Sequence, residues 1–190
     1  MMGIENVEAN QRVESMTKGF KMINTDHMFI HKGIAYKTHI SLASVSADVV
    51  YAIKTPVGKY LHFKNMKVAA MGGTLDVEVL RGATVTAAGD AVSSPELIGP
   101  VNLNDNSDNT AGTVITKGPT VSVAGTVWEK VRLPGNSTNQ FTSVEQSQGS
   151  ENEELVLLPD SYYLLKLSKV GDDNPSNVLL SVFWYEEDDG

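Results

Sequence analysis

Residues 34–42 read IAYKTHISL, and this stretch decides the fold class. The large apolar side chains, together with Thr38, recur at every second position, while the positions between them hold Ala35, Lys37, His39 and Ser41. Side chains of a β-strand point alternately to opposite faces of a sheet, so a period of two predicts a strand with one buried face. Strands that are apolar on one side and polar on the other are typical of antiparallel sheets.

The same alternation recurs along most of the chain. It predicts further strands at residues 48–54, 59–71, 74–79, 126–133, 154–158, 161–170 and 177–186. Turn residues separate these runs at 55–58 (TPVG), at 158–161 (LPDS) and at Gly72-Gly73, which suits a two-residue hairpin. We expect roughly eight to eleven strands in an all-β, antiparallel, jelly-roll-like sandwich with an N-terminal extended arm.

The chain divides into an arm and one domain. Residues 1–25 contain apolar positions without regular spacing, so we expect an arm that becomes ordered only against another surface. Residues 26–190 form the sandwich domain. Within it, residues 102–113 and 135–154 are rich in Asn, Ser, Gly and acidic side chains, which predicts long surface loops.

Charge and composition restrict the partners. The 190 residues include 15 Lys and Arg, 23 Asp and Glu and no Cys, which excludes disulfides and thiolate metal sites. Most of the acidic excess lies in residues 133–190, and a chain of net charge −8 repels a phosphate backbone, so no nucleic acid partner is expected. No apolar run reaches the roughly 20 residues that span a bilayer, and the polar N-terminus does not resemble a secretory signal, so no membrane is expected.

Motifs for catalysis and cofactors are missing from the sequence. It contains no GxSxG nucleophile elbow and no phosphate-binding loop with the required Lys-Ser/Thr ending. We therefore predict no catalytic residue and no cofactor.

His27 and His31 are four residues apart, which on a helix would place both on one face, within reach of one metal ion. On a strand they would lie about 13 Å apart. Met28 and Ile30 alternate with them and favour a strand, so we predict no metal site.

The polar run at 102–108 offers alternating oxygen atoms, as a calcium loop does. It lacks the central glycine and the final glutamate of such a loop. A loop without a bound ion is therefore favoured.

Trp128 lies on the polar face of its predicted strand, in alternation with Lys130 and Arg132. An aromatic ring beside cations on an outward face suits a protein contact or a platform for a sugar. Alternatively, this face packs under the 135–154 loop. Trp184 belongs to a run that is apolar on both faces, which predicts a core position in a central strand.

Two blocks of the sequence resemble a known family. The block DHMFIHKGIAYKTH at 26–39 and the closing block ELVLLPDSYYLLKLSKV with SNVLLSVFWYEE, between 154 and 187, look like head decoration (cement) proteins of tailed bacteriophages. Those proteins are of the jelly-roll type. The similarity covers roughly residues 26–80 and 153–187 and consists of strand and turn patterns.

The resemblance implies a structural virion protein that binds the outer capsid surface and cements neighbouring subunits of the major capsid protein. It would be assembled in the host cytoplasm and would form a homo-oligomer, a dimer or a trimer. Arm residues with apolar or cationic side chains, and Trp128, are the expected contacts with the capsid or a sister subunit. The residues are Arg12, Val13, Met16, Lys18, Phe20, Lys21, Met22 and Trp128.

Other functions stay open at this point. A carbohydrate-binding jelly roll on a phage head or tail fibre would use Trp128 and a loop carboxylate. A hydrolase built on a β-sandwich is a third possibility, and neck or tail components of the virion are others.

Overall fold

The computed structural model describes residues 25–93, 95–135, 142–147, 155–171 and 176–188. In chain order, its elements are α1 (Thr25–His31), β1 (Ala35–Val45), β2 (Val49–Lys54), β3 (Lys59–Met71), β4 (Leu75–Arg81), β5 (Thr84–Ala87), β6 (Asp90–Ala91), β7 (Leu97–Asn102), β8 (Val114–Lys117), β9 (Thr120–Val123), β10 (Thr126–Leu133), β11 (Thr142–Ser147), β12 (Leu155–Leu157), β13 (Tyr162–Lys169) and β14 (Ser176–Asp188). Helix α1 has seven residues, and no helix in these ranges is long and apolar enough to cross a membrane.

The strands form two large antiparallel sheets and one small ribbon. Sheet A has the order β11-β3-β14-β1-β7, with β12 also paired to β3. Sheet B has the order β10-β4-β13-β2-β8-β6. Strands β5 and β9 pair only with each other.

Eight of the strands follow a jelly-roll path. Strands β1, β3, β11 and β14 lie in sheet A, while β2, β4, β10 and β13 lie in sheet B. Along the chain these strands cross between the sheets at every step except from β4 to β10. This arrangement confirms the predicted antiparallel, jelly-roll-like sandwich.

The core lies between the inner faces of the two sheets. Strand β14 is central in sheet A, paired with β3 on one side and β1 on the other, and Leu180 and Trp184 are buried on its inner face. Tyr36, Ile40 and Leu42 of β1 lie in the same core cluster, as the alternation predicts. The predicted core position of Trp184 is confirmed, since only 1% of its surface is exposed.

The insertion between β4 and β10 explains why one part of sheet B is apolar on both faces. Val85 of β5 and Val121 of β9 pack on a second cluster that contains Leu80 and Leu164, on the face of sheet B that points away from the core. Helix α1 covers one end of the outer face of sheet A, where the Phe29 ring stacks on Tyr185 with centroids 3.8 Å apart. The rest of that face carries no covering element in the described residues.

Three of the turns and boundaries predicted from the sequence need correction. Gly72-Gly73 does not close a hairpin, because it connects β3 of sheet A with β4 of sheet B. Residues 142–147, predicted to be part of a loop, form β11 by backbone pairing with β3. Thr25, assigned to the arm, begins α1, and the remaining arm residues 1–24 lie outside the described residues.

A buried carboxylate joins β4 to the edge strand β10. Arg132 donates two hydrogen bonds to Asp76, from Nε to Oδ1 at 2.6 Å and from Nη2 to Oδ2 at 2.7 Å. The ammonium group of Lys130 lies 2.9 Å from Asp76 Oδ2. These hydrogen bonds to Arg132 and then Lys130 lower the pKa of Asp76 to about 2, although burial acts in the opposite direction.

The lowered pKa predicts a loss of stability in acid that depends on Asp76. The unfolded carboxyl titrates near 3.9, so the contribution is complete above about pH 4 and is lost as the pH falls toward 2. Between pH 5 and pH 2 we expect the wild type to lose about 1–2 kcal/mol more unfolding free energy than Asp76→Asn, after allowance for screening around the exposed cations. Urea unfolding at each pH measures this; parallel curves for the two proteins would contradict it.

Truncation of a leucine should destabilise the protein much more on the inner face of β14 than on its outer face. Leu180 is fully buried, so Leu180→Ala should lower the unfolding free energy by about 2–5 kcal/mol through lost burial and the cavity left behind. The control is the preceding residue, Leu179, which is 47% exposed on the outer face. Leu179→Ala should change the unfolding free energy by less than about 1 kcal/mol. Equal losses in urea unfolding would mean that the inner face has been assigned wrongly.

Candidate functional site

The loop at 103–113 holds the end of α1. Asn102 Nδ2 donates to the carbonyl of Gly33 at 2.9 Å, and Asn109 Nδ2 donates to the same carbonyl at 3.2 Å. Asn104 Nδ2 donates to the carbonyl of His31 at 3.1 Å. The last carbonyls of a helix lack partners within the helix, so Asn104 satisfies a group of α1 that would otherwise need water, while Asn102 and Asn109 hold the residue that follows the helix. Helix and loop therefore form one unit on sheet A.

The run compared above with a calcium loop is a series of side-chain turns. Asn102 Oδ1 accepts the backbone N–H of Asn104 at 2.9 Å, and Asn104 Oδ1 accepts that of Asn106 at 3.1 Å. Ser107 Oγ accepts the N–H of Asn109 at 3.2 Å. The regular spacing of oxygen-bearing side chains thus serves local Asx and Ser turns. The predicted loop is confirmed for residues 103–113, which contain no strand.

Glu186 fastens the far end of this loop to the core. Its carboxylate accepts the N–H of Gly112 at 2.9 Å, the N–H of Thr113 at 3.0 Å, the hydroxyl of Thr113 at 2.7 Å and Trp184 Nε1 at 3.3 Å. Only 2% of Glu186 is exposed, so four donors replace the water that a carboxylate needs. Burial, and then the charge of Glu186, raise the pKa of Tyr36.

A groove opens on the outer face of sheet A beside this unit. Its volume is about 410 Å³. It is lined by Ile30, Lys37, Asn65, Lys67, Leu103, Ser181 and Phe183. The charged side chains of this lining are both lysines, and apolar side chains from α1, the 103–113 loop and β14 form its walls. A groove of this kind suits a partner surface that combines carboxylates with apolar groups.

The edge strand β7 extends the same face. Ile98 and Val101 are 54% and 51% exposed and pair in register with His39 and Lys37 of β1. Burial, and then the charge of Lys37, lower the pKa of His39, which favours the neutral imidazole. We call the groove together with these two β7 residues the sheet A face.

Trp128 does not stand on an outward face. The register of β10 against β4 shifts between Val127 and Glu129, and this β-bulge turns Trp128 toward the core. Its ring lies 6.1 Å from that of Tyr163, and the Arg81 guanidinium lies 5.3 Å from its centroid. Val127, which strict alternation would place opposite Trp128 on the inner face, is 46% exposed. The predicted orientation of Trp128 was therefore wrong, because a prediction from strict alternation takes no account of a β-bulge.

The other predicted contact residues cannot be placed. Arg12, Val13, Met16, Lys18, Phe20, Lys21 and Met22 lie outside the described residues. The sheet A face was not identified from the sequence, because its members come from separate elements of the chain. The alternation of Lys37 and His39 in β1 was the one signal that pointed to an outward polar row.

The histidines differ from expectation in two respects. His27 and His31 lie on helix α1 and not on a strand, and their Nε2 atoms are 2.9 Å apart. His62 alternates with Leu61 and Phe63, which predicts a solvent position, but it is partly buried and stacks on Tyr185 with centroids 4.3 Å apart. Within the described ranges, no group of three or more His, Asp or Glu side chains is arranged to hold a metal ion.

No protein-family model matches this chain, and no curated protein matches it. The comparisons therefore add no relative to the fold and the surfaces described above.

Removal of the charge on Glu186 should release the 103–113 loop. In Glu186→Gln the amide NH₂ faces groups that are themselves donors, so we expect a loss of about 2–3 kcal/mol in unfolding free energy. Amide hydrogen exchange at Gly112 and Thr113 should rise with it. Glu187→Gln is the matched control, since the Glu187 side chain is 47% exposed, and it should change neither quantity appreciably. Unchanged exchange in Glu186→Gln would contradict the proposed attachment.

Proposed function

We propose that this protein is a structural virion protein that binds the outer surface of a bacteriophage capsid and cements neighbouring major capsid protein subunits. The observation that carries the proposal is the jelly-roll order of the eight main strands. That fold is the one implied by the resemblance of residues 26–39 and 154–187 to head decoration proteins. The resembling blocks supply α1 and strands β1, β12, β13 and β14, which include the centre of both sheets.

The mechanical requirements of a cement protein agree with this architecture. A protein that holds a shell against internal pressure has to keep its shape under load. Strand β14 is paired from Asn177 to Asp188 with β3 and from Ser176 to Tyr185 with β1, so its backbone is held on both sides over most of its length. Deformation of the domain would break many of these hydrogen bonds together.

The sheet A face supports a contact with a protein partner. It combines exposed Ile98 and Val101 with Lys37, whereas the whole chain has a net charge of −8. A local cationic and apolar area on an acidic protein favours one orientation of docking on a partner with carboxylates. The arm joins the described domain at α1, whose Ile30 lines the groove. We therefore assign the capsid contact to this face and to the arm residues from Arg12 to Met22.

Trp128 belongs to sheet B and lies outside this face. Because its ring packs against Tyr163 and Arg81, its placement offers no support for the carbohydrate-binding alternative. A homo-oligomer, dimer or trimer, on the outside of the virion remains part of the proposal, since a repeated clamp suits a symmetric shell.

The decisive test uses phage heads that lack this protein. Purified full-length protein should sediment with such heads in a saturable manner and should raise the temperature at which they release DNA. Deletion of residues 1–24, which leaves α1 intact, should weaken the binding because the arm contacts are lost. If the intact protein neither sediments with the heads nor stabilises them, the proposed function is wrong.

A charge reversal tests the sheet A face separately. Lys37→Glu should weaken binding to the heads about tenfold, because it replaces an attraction to partner carboxylates with a repulsion. Lys169→Glu in sheet B makes the same charge change away from the face and should bind as the wild type does. If the wild type binds the heads and both variants bind them equally well, the sheet A face is not the contact surface, although the proposed function would still hold.

A further inference from the structure

The packing of α1 directs two histidines to solvent. Phe29 is 5% exposed and is fixed against Tyr185, so it defines the buried side of the helix. Successive residues of an α-helix are rotated by about 100°, which places His27 and His31 on the side opposite Phe29, about 40° from each other. Both imidazole rings are exposed.

The separation of the two rings fits a chelated metal ion. The Nε2 atoms of His27 and His31 are 2.9 Å apart. Imidazole nitrogens bind first-row transition metals at about 2.0–2.1 Å, so two nitrogens at right angles around one ion are about 2.9 Å apart, against about 3.3 Å for a tetrahedral ion. The observed separation is that of the hydrogen bond between the rings, and it places both nitrogens within reach of one ion.

The ion would replace a hydrogen bond between the rings. At present one Nε2–H group faces the Nε2 lone pair of the other ring. When the ion binds, the donor ring moves its proton to Nδ1, both Nε2 atoms become ligands, and no net proton is released from the neutral pair. The rings have to turn from their perpendicular contact until both lone pairs converge on the ion.

The backbone that carries the pair is already ordered. The N–H of Lys32 donates to the carbonyl of Met28 at 3.0 Å, and Asn104 holds the carbonyl of His31. A pre-ordered pair loses less conformational entropy on binding an ion than a flexible one.

We propose that His27 and His31 form a binding site for a divalent transition-metal ion, with Cu²⁺ preferred. Copper(II) stands highest in the affinity series of these ions, and imidazole is one of the ligand types that suit it. Two protein ligands leave further positions on the ion to water. The site does not depend on the capsid function proposed above.

Calorimetric titration of the full-length, untagged protein with glycine-buffered Cu²⁺ tests the proposal. We expect one ion per chain, and binding at least tenfold weaker in His27→Ala and in His31→Ala. The matched control combines His31→Ala with Lys32→His, which keeps the number of histidines but moves one of them off the shared face; it should bind as weakly as His31→Ala. His39→Ala, which alters a histidine of β1 away from the pair, should bind as the wild type does.

Electron paramagnetic resonance gives a second readout that does not depend on comparing affinities. The copper spectrum of the wild type should show two imidazole nitrogens, and that of His31→Ala one at most. Wild-type affinity in the His31→Ala, Lys32→His variant would overturn the proposal, as would a wild-type spectrum with fewer than two imidazole nitrogens. Copper held by the N-terminal amine would give this second outcome. Circular dichroism confirms that each variant is folded.

Discussion

The apolar inner faces of sheets A and B are buried against each other, and the other parts of the molecule are attached to that contact. Strand β14 is at its centre, because Leu180 and Trp184 pack into the core while the backbone pairs on both sides. Burial of such side chains supplies the main free energy of folding for a domain without disulfides. The strands can then hold loops and a short helix that would not be stable alone.

Polar groups at one end of the sandwich fix the loop and the helix that form the surface there. Glu186 uses its buried carboxylate to hold the 103–113 loop, and the asparagines of that segment hold the end of α1. Phe29 adds apolar contact with Tyr185. The position of α1 depends on the 103–113 loop and on Tyr185, and both of these depend on β14. The walls of the groove and the orientation of His27 and His31 therefore follow from the packing of β14.

The two sheets present different outer surfaces. The β5–β9 ribbon covers the outer face of sheet B around Leu80 and Leu164, whereas sheet A leaves an area with lysines and exposed apolar side chains beside α1. A binding role for a sheet face requires such an uncovered area on a rigid support. The proposed function and the proposed copper site draw on this same end of the molecule but use different residues.

The local pattern of apolar, polar and turn residues was sufficient to predict the class of fold. Alternation in segments such as 34–42 and 59–71 predicts strands because the two faces of a strand meet different environments, and the turns at 55–58 and 158–161 were recognised from their Pro and Gly or Asp residues. The central position of β14 followed from apolar residues on both of its faces. Alternation cannot show a β-bulge, however, so the direction of Trp128 was predicted wrongly.

Residues 25–31 show the limit of local pattern most clearly. Their alternation favoured a strand, yet the segment is helical, because Phe29 packs on Tyr185 and Asn104 holds the helix end. Those partners are more than 70 positions away in the chain. The same holds for the sheet A face, whose lysines come from β1 and β3. Periodicity in the sequence thus indicated which side chains of the strands are buried. The positions of α1 and of the sheet A face depend on contacts between distant segments, and these contacts form only when the strands have paired into sheets.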